Sequence, residues 1–246
     1  MNIDKVILAS NENKDYLEFW PLVSEAWERI GVEPVLIYTG NDEVNLNGHI
    51  INFYIKGIDS TFVAQNIRLL APALFKDENC IISDIDSLPL SSKYFQNSVR
   101  DIPDDKFVIY RPDAAAENMI PICWNLSKGI NWSEIFNVRN SNEIRNKLIY
   151  WYFYFYYFKN YKWNTDQIVL KKYLKNFKKN KAEKIVYLND ADTSFKRFDR
   201  VSIDDDLLKL EKYNEIFSEF HMPRPYREHR ELIHRVYEKS ILNDED

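Results

Sequence analysis

Glycine is scarce in this sequence: the 246 residues include five, and no two of them lie close together. A phosphate-cradling loop needs clustered glycines so that backbone N–H groups can close on the anion. The P-loop and Gly-x-Gly-x-x-Gly nucleotide folds are therefore excluded. Any phosphate bound here has to be held by side chains or by a metal. Cysteine is rarer still. Cys80 and Cys123 each sit in a short apolar run and read as small buried hydrophobes of a reducing compartment. That excludes a disulfide framework or zinc site and points to the cytoplasm. Long hydrophobic runs are missing too: no uncharged apolar stretch reaches the about 18 residues of a membrane span. The chain starts straight into a strand-like segment with no secretory leader. An excess of positive charge is also absent. A net charge of −5 gives no general electrostatic basis for binding nucleic acid.

What the chain does have is core material. Apolar residues make up 45% and aromatics 15%, enough for one large α/β domain and too much for a disordered chain. Lys5–Ala9 is a short apolar strand opening into the polar loop Ser10–Lys14. Tyr16–Ile30 places Leu17, Trp20, Val23, Trp27 and Ile30 at helical spacing, and Gly31 ends it. Pro34–Tyr38 and Ile50–Ile55 read as strands, Thr61–Phe75 as a helix and Asn79–Ser83 as a fully buried strand. Lys106–Tyr110 and Ile120–Trp124 read as further strands, Asn142–Phe177 as helical and Lys184–Leu188 as a strand. Asp205–Phe217 and Glu228–Ser240 read as closing helices. This alternation predicts a mostly parallel sheet with helices on both faces. With no repeat and no Pro/Ser-rich linker, residues 1–246 are expected to form a single domain. Its sheet core would cover about 1–188 and a helical extension about 189–246.

Ser83-Asp84-Ile85-Asp86 stands at the end of a predicted strand, where ligands of open parallel sheets collect. In extended chain, residues two apart share a face. Asp84 and Asp86 would face the crevice and Ile85 the core. Two hard oxygen donors suit Mg²⁺ or Mn²⁺, which keeps positions open for substrate phosphates. The spacing alone is unspecific, because Asp190-Ala-Asp192, Asp204-Asp-Asp206 and Asp244-Glu-Asp246 repeat it. Turns and helix caps explain such pairs equally well. Asp204–Asp206 precede a helix and the terminal set reads as solvated, whereas Asp190 and Asp192 also follow a strand and remain a rival.

Context separates the pairs. The stretch Thr61–Phe95 (TFVAQNIRLLAPALFKDENCIISDIDSLPLSSKYF) resembles the donor-site region of GT-A glycosyltransferases. There a helix with a basic residue and a proline, here Arg68 and Pro72, leads into a buried strand ending in Asp-x-Asp, here Asp84 and Asp86. Trp163-Asn-Thr-Asp166-Gln167 is similar to an Asp-Gln element found before a helix in several retaining members. Phe220-His221-Met-Pro-Arg224 is similar to the C-terminal segment whose histidine is the third metal ligand. The three segments keep the family order over residues 61–224. One departure is that relatives carry an Asn-x-Gly element after Asp-x-Asp, and only Asn125-Leu-Ser-Lys-Gly129 stands there here.

The resemblance implies a GT-A fold and transfer of a hexosyl unit from a nucleotide diphosphate sugar, a UDP-sugar, to a glycan or other hydroxyl acceptor, with retention. It implies Mn²⁺ or Mg²⁺ on Asp84, Asp86 and His221, and Asp166 and Gln167 as the pair beside the anomeric carbon. By analogy of fold the nucleotide would lie along Ala9, Ser10, Tyr38 and Thr39, with Arg68, Asp84 and Arg224 at the diphosphate sugar. Read without the family, the residues leave alternatives open. A nucleotidyltransferase would use the same paired aspartates. A non-catalytic glycan- or lipid-binding module would keep the aromatics and need no metal. His221 is equally an ordinary hydrogen-bonded histidine, Arg68 an arginine covering core with its stem, and Asp166 a helix N-terminal charge. If the reaction inverts, Asp113 and Glu117 are the crevice carboxylates to consider as base.

One feature falls outside these motifs. Residues 150–158 are nine consecutive aromatics, followed by Tyr161 and Trp163, and then by seven lysines and one acid over 171–184. A run apolar on every helical face is buried all round or sits at an interface. Core is the default expectation. Peripheral membrane contact through 150–184, with rings at headgroup level and lysines on anionic lipid, is the second.

Overall fold

The computed structural model describes residues 1–114, 116–203, 209–210 and 212–241. Its strands are β1 (Lys5–Ser10), β2 (Glu33–Tyr38), β3 (His49–Asn52), β4 (Asn79–Ile82), β5 (Ser87–Pro89), β6 (Phe107–Tyr110), β7 (Asn125–Lys128), β8 (Ile185–Leu188), β9 (Lys196–Asp199) and β10 (Phe217–His221). Seven form the main sheet in the order β3-β2-β1-β4-β7-β6-β8. Its neighbours run parallel except where β7 pairs antiparallel with β4 and β6.

Strand alternation sorts the core onto two faces, because successive side chains point to opposite sides. Val6, Leu8, Leu36, Ile81, Val108 and Tyr110 pack on one face with Trp20, Trp27, Phe95 and Trp124. Ile7, Val35, Ile37, Cys80, Ile82, Phe107 and Ile109 pack on the other with Trp132, Phe136 and Trp151. The helix Trp20–Arg29 covers the first face with Val23, Ala26 and Trp27, and the helix Ser60–Ile67 covers the second with Phe62, Val63 and Ile67. The chain runs outward from β1 to β2 and β3, then returns to place β4 on the other side of β1. That reversal opens a crevice between the ends of β1 and β4, where open α/β sheets take their ligands.

The structure corrects several expected elements. Ile120–Trp124 is not a strand; pairing falls to Asn125–Lys128 instead. Pro121 has no N–H to give a ladder, and the Asn125 amide folds the segment into a turn by donating to Pro121 O (2.8 Å) and Ile122 O (3.1 Å). Residues 142–177 are not one helix. The helix Ser141–Trp151 widens into a π-helical stretch, Tyr152–Phe158, and breaks before the helix Thr165–Lys181 begins. Asn160 and Lys162 in the break have φ of 55° and 51°, a left-handed conformation that ends a helix. The aromatic run is only partly core: Trp151, Tyr152 and Phe155 are buried, whereas Tyr150, Phe153, Tyr157 and Phe158 are exposed.

The C-terminal part is not purely helical. The helix Tyr226–Ile241 is present, but β9 and β10 join β5 in a second, three-stranded sheet, β5-β10-β9. Of the helix expected over 205–217, a short turn at Tyr213–Ile216 is seen and Phe217 already belongs to β10. Asp204–Asp206 and Asp244–Asp246 lie outside the described residues. The small sheet is tied down by Arg111, which is buried and ion-paired with Glu219 (2.8 Å) and Asp190 (2.6 Å). Gly129 has a packing role, since a Cβ there would lie 2.1 Å from the Phe75 carbonyl oxygen. Asn125–Gly129 is thus buried sheet and helix start, away from the crevice. No helix among the described residues is long and apolar enough to cross a membrane.

Candidate active site

The crevice is a cleft of about 540 Å³ at the end of β1 and β4. Ala9, Ser10 and Asn11 form one side, Asp84, Ile85 and Asp86 the floor, and Thr61, Gln65 and Arg68 the wall above them. Tyr156, Lys162 and Trp163 stand at its edge. The wall begins with a proper helix cap: Asp59 Oδ1 accepts from Thr61 N–H (2.8 Å) and Phe62 N–H (3.3 Å). The helix ends as Arg68 turns toward the floor.

Arg68 joins three segments. It is 7% exposed, its Nη1 donates to the Ser83 carbonyl (3.0 Å) and pairs with Asp84 Oδ1, and its Nη2 pairs with Asp166 Oδ2 at 3.3 Å. Asp84 also receives support at its backbone, whose N–H donates to Cys123 Sγ (3.1 Å). Burial opposes the Asp84 charge, but the Arg68 guanidinium and side-chain hydrogen bonding from Cys123 and Arg68 prevail and hold its carboxyl below the usual range. Asp166 goes the other way. Burial pushes it up to about 7 against the attraction of Arg68 and the Gln167 N–H. The guanidinium itself is held more firmly charged, and Asp84 is the larger contributor. One cation serves two carboxylates; Asp84 takes most of it, and Asp166, deeper in the protein, is the one that holds its proton more tightly.

The second carboxylate is organised by the small sheet. β10 pairs with β5 so that His221 lies opposite Ser87, and Met222 N–H donates to the Asp86 carbonyl at 2.9 Å. β10 also pairs with β9 so that His221 lies opposite Asp199. This register brings Asp86, His221, Asp199 and Arg200 together from three places in the sequence. Asp86 Oδ2 lies 3.0 Å from Arg200 Nη1, 3.5 Å from Arg224 Nε and 3.6 Å from His221 Nε2. Arg200 Nη2 is 2.7 Å from His221 Nε2, and His221 Nδ1 is 3.2 Å from Asp199 Oδ2. Arginine has no acceptor, so Nε2 must offer its lone pair and Nδ1–H must donate to Asp199. Burial works against an imidazolium here, but the Asp86 and Asp199 carboxylates outweigh it and raise the His221 pKa. A charged ring requires Arg200 to withdraw from Nε2.

Carboxylate oxygens and an imidazole lone pair are the donors a hard divalent cation takes. Asp86 and His221 already converge, with a guanidinium lying against both, while Arg68 holds Asp84. Among the described residues no three His, Cys, Asp or Glu side chains close into a full ligand cluster. The donor set fits a divalent cation in kind, with two of the three expected ligands adjacent.

Not every expected residue reaches the cleft. Ala9, Ser10, Arg68, Asp84 and Asp86 line it. Arg224 lines an adjoining depression of about 470 Å³ with Asp15, Arg200 and Pro225, sharing Tyr16 with the main cleft. Tyr38 and Thr39 are buried beside the cleft; the Tyr38 hydroxyl binds Asp42 and the Thr39 hydroxyl binds the Ser60 carbonyl. Asp166 is 1% exposed and sits behind Arg68 and Gln65. Gln167 accepts from Ile120 N–H through its carbonyl and does not line the cleft. The rival Asp190 is turned to Tyr94 and Arg111, and Asp192 to Asn189, both away from the cleft. Asp113 and Glu117 are exposed and do not line the cleft either. Sequence reading missed Arg200, Asp199 and the Cys123 thiol. Lys196–Asp199 holds one apolar residue, Phe198, and gives no local strand signal; nothing local shows that β9 docks against His221.

These features define an α/β fold of the GT-A glycosyltransferase type. No protein-family profile matches the chain, and no curated protein matches it either. Among solved structures, the galactosyltransferase LgtC in complex with donor and acceptor sugar analogues is 15% identical at a TM-score of 0.51, over 96% of this chain and 95% of that one. A glycosyltransferase involved in glycosylation of the major capsid of PBCV-1 is 12% identical at 0.48, over 94% and 99%. The apo-form glycosyltransferase GlyE of Streptococcus pneumoniae TIGR4 is 13% identical at 0.47, over 97% of this chain and 60% of that one. At 15% identity and a TM-score of 0.51, what the chain shares with LgtC is the fold.

Proposed function

We propose that the protein is a glycosyltransferase that moves a hexosyl unit from a nucleotide diphosphate sugar, a UDP-sugar, to a hydroxyl of a glycan or other acceptor, with retention. The observation that carries this reading is the opening of Asp84 and Asp86 together into a cleft floored by the ends of β1 and β4, with Arg68 and His221 converging on them from elsewhere. When bound, Mn²⁺ or Mg²⁺ on Asp84, Asp86 and His221 would supply Lewis-acid neutralisation of charge on the leaving diphosphate. Arg68 fixes Asp84 and keeps it ionised. Arg224, whose guanidinium lies 4.8 Å from the Tyr16 ring centroid in the adjoining depression, is placed to meet the diphosphate. The nucleotide is assigned to the Ala9–Asn11 side. Asp166 acts through Arg68 as a positioning residue. Retention is supported by the inventory of carboxylates lining the cleft among the described residues: Asp59 caps a helix, and Asp84 and Asp86 are bound to guanidinium groups. None stands free as the general base that inversion requires.

The test is incubation with a panel of nucleotide sugars and Mn²⁺, following slow release of nucleoside diphosphate. Asp84→Ala should abolish the release with the fold intact, and Asp190→Ala should leave it. The reverse pattern, or turnover of nucleoside triphosphates in place of sugars, overturns the assignment. With an α-linked donor, proton NMR of the product should show an α linkage; a β linkage removes retention.

A further inference from the structure

The aromatic run that the core leaves outside is the clearest unexplained surface. Exposure runs from 53% at Tyr150 through 58% at Phe153 and 54% at Tyr157 to 75% at Phe158. Contiguous rings of this size in water mark an interaction site. Lysines are laid over the same rings. Lys159 lies 5.6 Å from the Tyr154 centroid and 5.2 Å from that of Phe158. Lys162 lies 4.8 Å from Tyr156 and 5.1 Å from Tyr157, and Lys172 lies 5.1 Å from Phe155 and 4.6 Å from Tyr161. Among the described residues no carboxylate pairs with Lys159, Lys162 or Lys172. Residues 150–184 carry nine lysines against two acids, on a chain whose net charge is −5. An anionic surface would repel most of this protein and attract this face. The tract also runs into the cleft, since Tyr156, Lys162 and Trp163 form its edge and Trp163 is 71% exposed.

We propose that this tract docks the protein on an anionic lipid bilayer, with rings at the level of the headgroups, lysines on the phosphates and the cleft mouth facing the membrane. Amphipathic rings and snorkelling lysines are the side chains such an interface takes. A second copy of the chain is a poor occupant, because a twofold contact would set the same lysines against each other. Taken with the transferase reading, on which this clause rests, the acceptor hydroxyl is carried on a membrane-anchored molecule and enters past Trp163.

The test floats the full chain with phosphatidylcholine vesicles, alone or with about one-third phosphatidylglycerol. The protein should rise with the anionic vesicles, stay behind with the neutral ones and be released by high salt, where screening removes the lysine term. Lys159→Gln with Lys172→Gln should lower partitioning about 25-fold, at about fivefold for each lysine. Phe153→Ser with Phe158→Ser should lower it at least as far, and melting curves should show both variants folded. Indifference of the wild type to anionic vesicles overturns the proposal. So does partitioning that both pairs of substitutions leave unchanged, or a stable dimer in solution that either pair dissolves. Vesicle binding requires no sugar nucleotide, and donor hydrolysis requires no lipid. Failure of docking therefore leaves the transferase reading standing, and failure of hydrolysis leaves docking standing.

Discussion

Asp166→Asn isolates the energetics of two buried carboxylates sharing one guanidinium. Asp166 is 1% exposed, and burial carries its carboxyl from the ordinary 3.8 to about 7 despite Arg68. The folded protein then keeps a proton that the unfolded chain releases over that interval. The stability this contributes is fully present below the unfolded value and is lost as pH rises through about 7. At about 1.4 kcal/mol per pH unit, the interval corresponds to roughly 4 kcal/mol. Asparagine keeps the shape and cannot ionise. Urea denaturation should find wild type and variant within about 1 kcal/mol near about pH 4, the worth of one hydrogen bond. By about pH 8 the variant should have gained roughly 3–4 kcal/mol relative to wild type, because wild type alone pays the ionisation. A difference that is flat with pH refutes the reasoning. A wild type that becomes relatively more stable as pH rises would mean that Arg68 holds Asp166 ionised in the folded state.

Two further substitutions probe the ion clusters. Arg111→Met leaves Glu219, whose side chain is 1% exposed, without its 2.8 Å partner; breaking a buried pair of this kind should cost about 3–5 kcal/mol in thermal or chemical unfolding. A change below about 1 kcal/mol would show that Arg197, 2.9 Å from the same oxygen, suffices. Arg200→Gln removes the guanidinium lying against Asp86 and His221. Mn²⁺ affinity measured by calorimetry should rise about fivefold, the ~1 kcal/mol of a partly exposed ion pair. A fall in affinity would make Arg200 a support of the site and not a competitor for it.

The short continuous apolar runs in Lys5–Ala9, Pro34–Tyr38 and Asn79–Ser83 are enough to place β1, β2 and β4, because those strands are buried on both faces. Local pattern also put Asp84 and Asp86 at a strand end, but the resemblance singled them out and joined them to Arg68; the extended Asp84-Ile85-Asp86 expected there is a turn, and Ile85 lines the cleft with them. Local pattern failed where backbone conformation overrides it: Ile120–Trp124 is apolar but turned by the Asn125 amide, and the helix through the aromatic run stops at Asn160 and Lys162, which adopt positive φ. Tertiary structure alone decided the rest. His221 meets Asp86 because β10 pairs with β5, and Arg200 arrives because β9 pairs with β10. Asp166 lies behind Arg68 and does not line the cleft. A single sequence read for local pattern shows each side-chain type at its own position. Which of them share a point in space depends on strand register across more than a hundred residues, and that register is set by the packing of the whole chain.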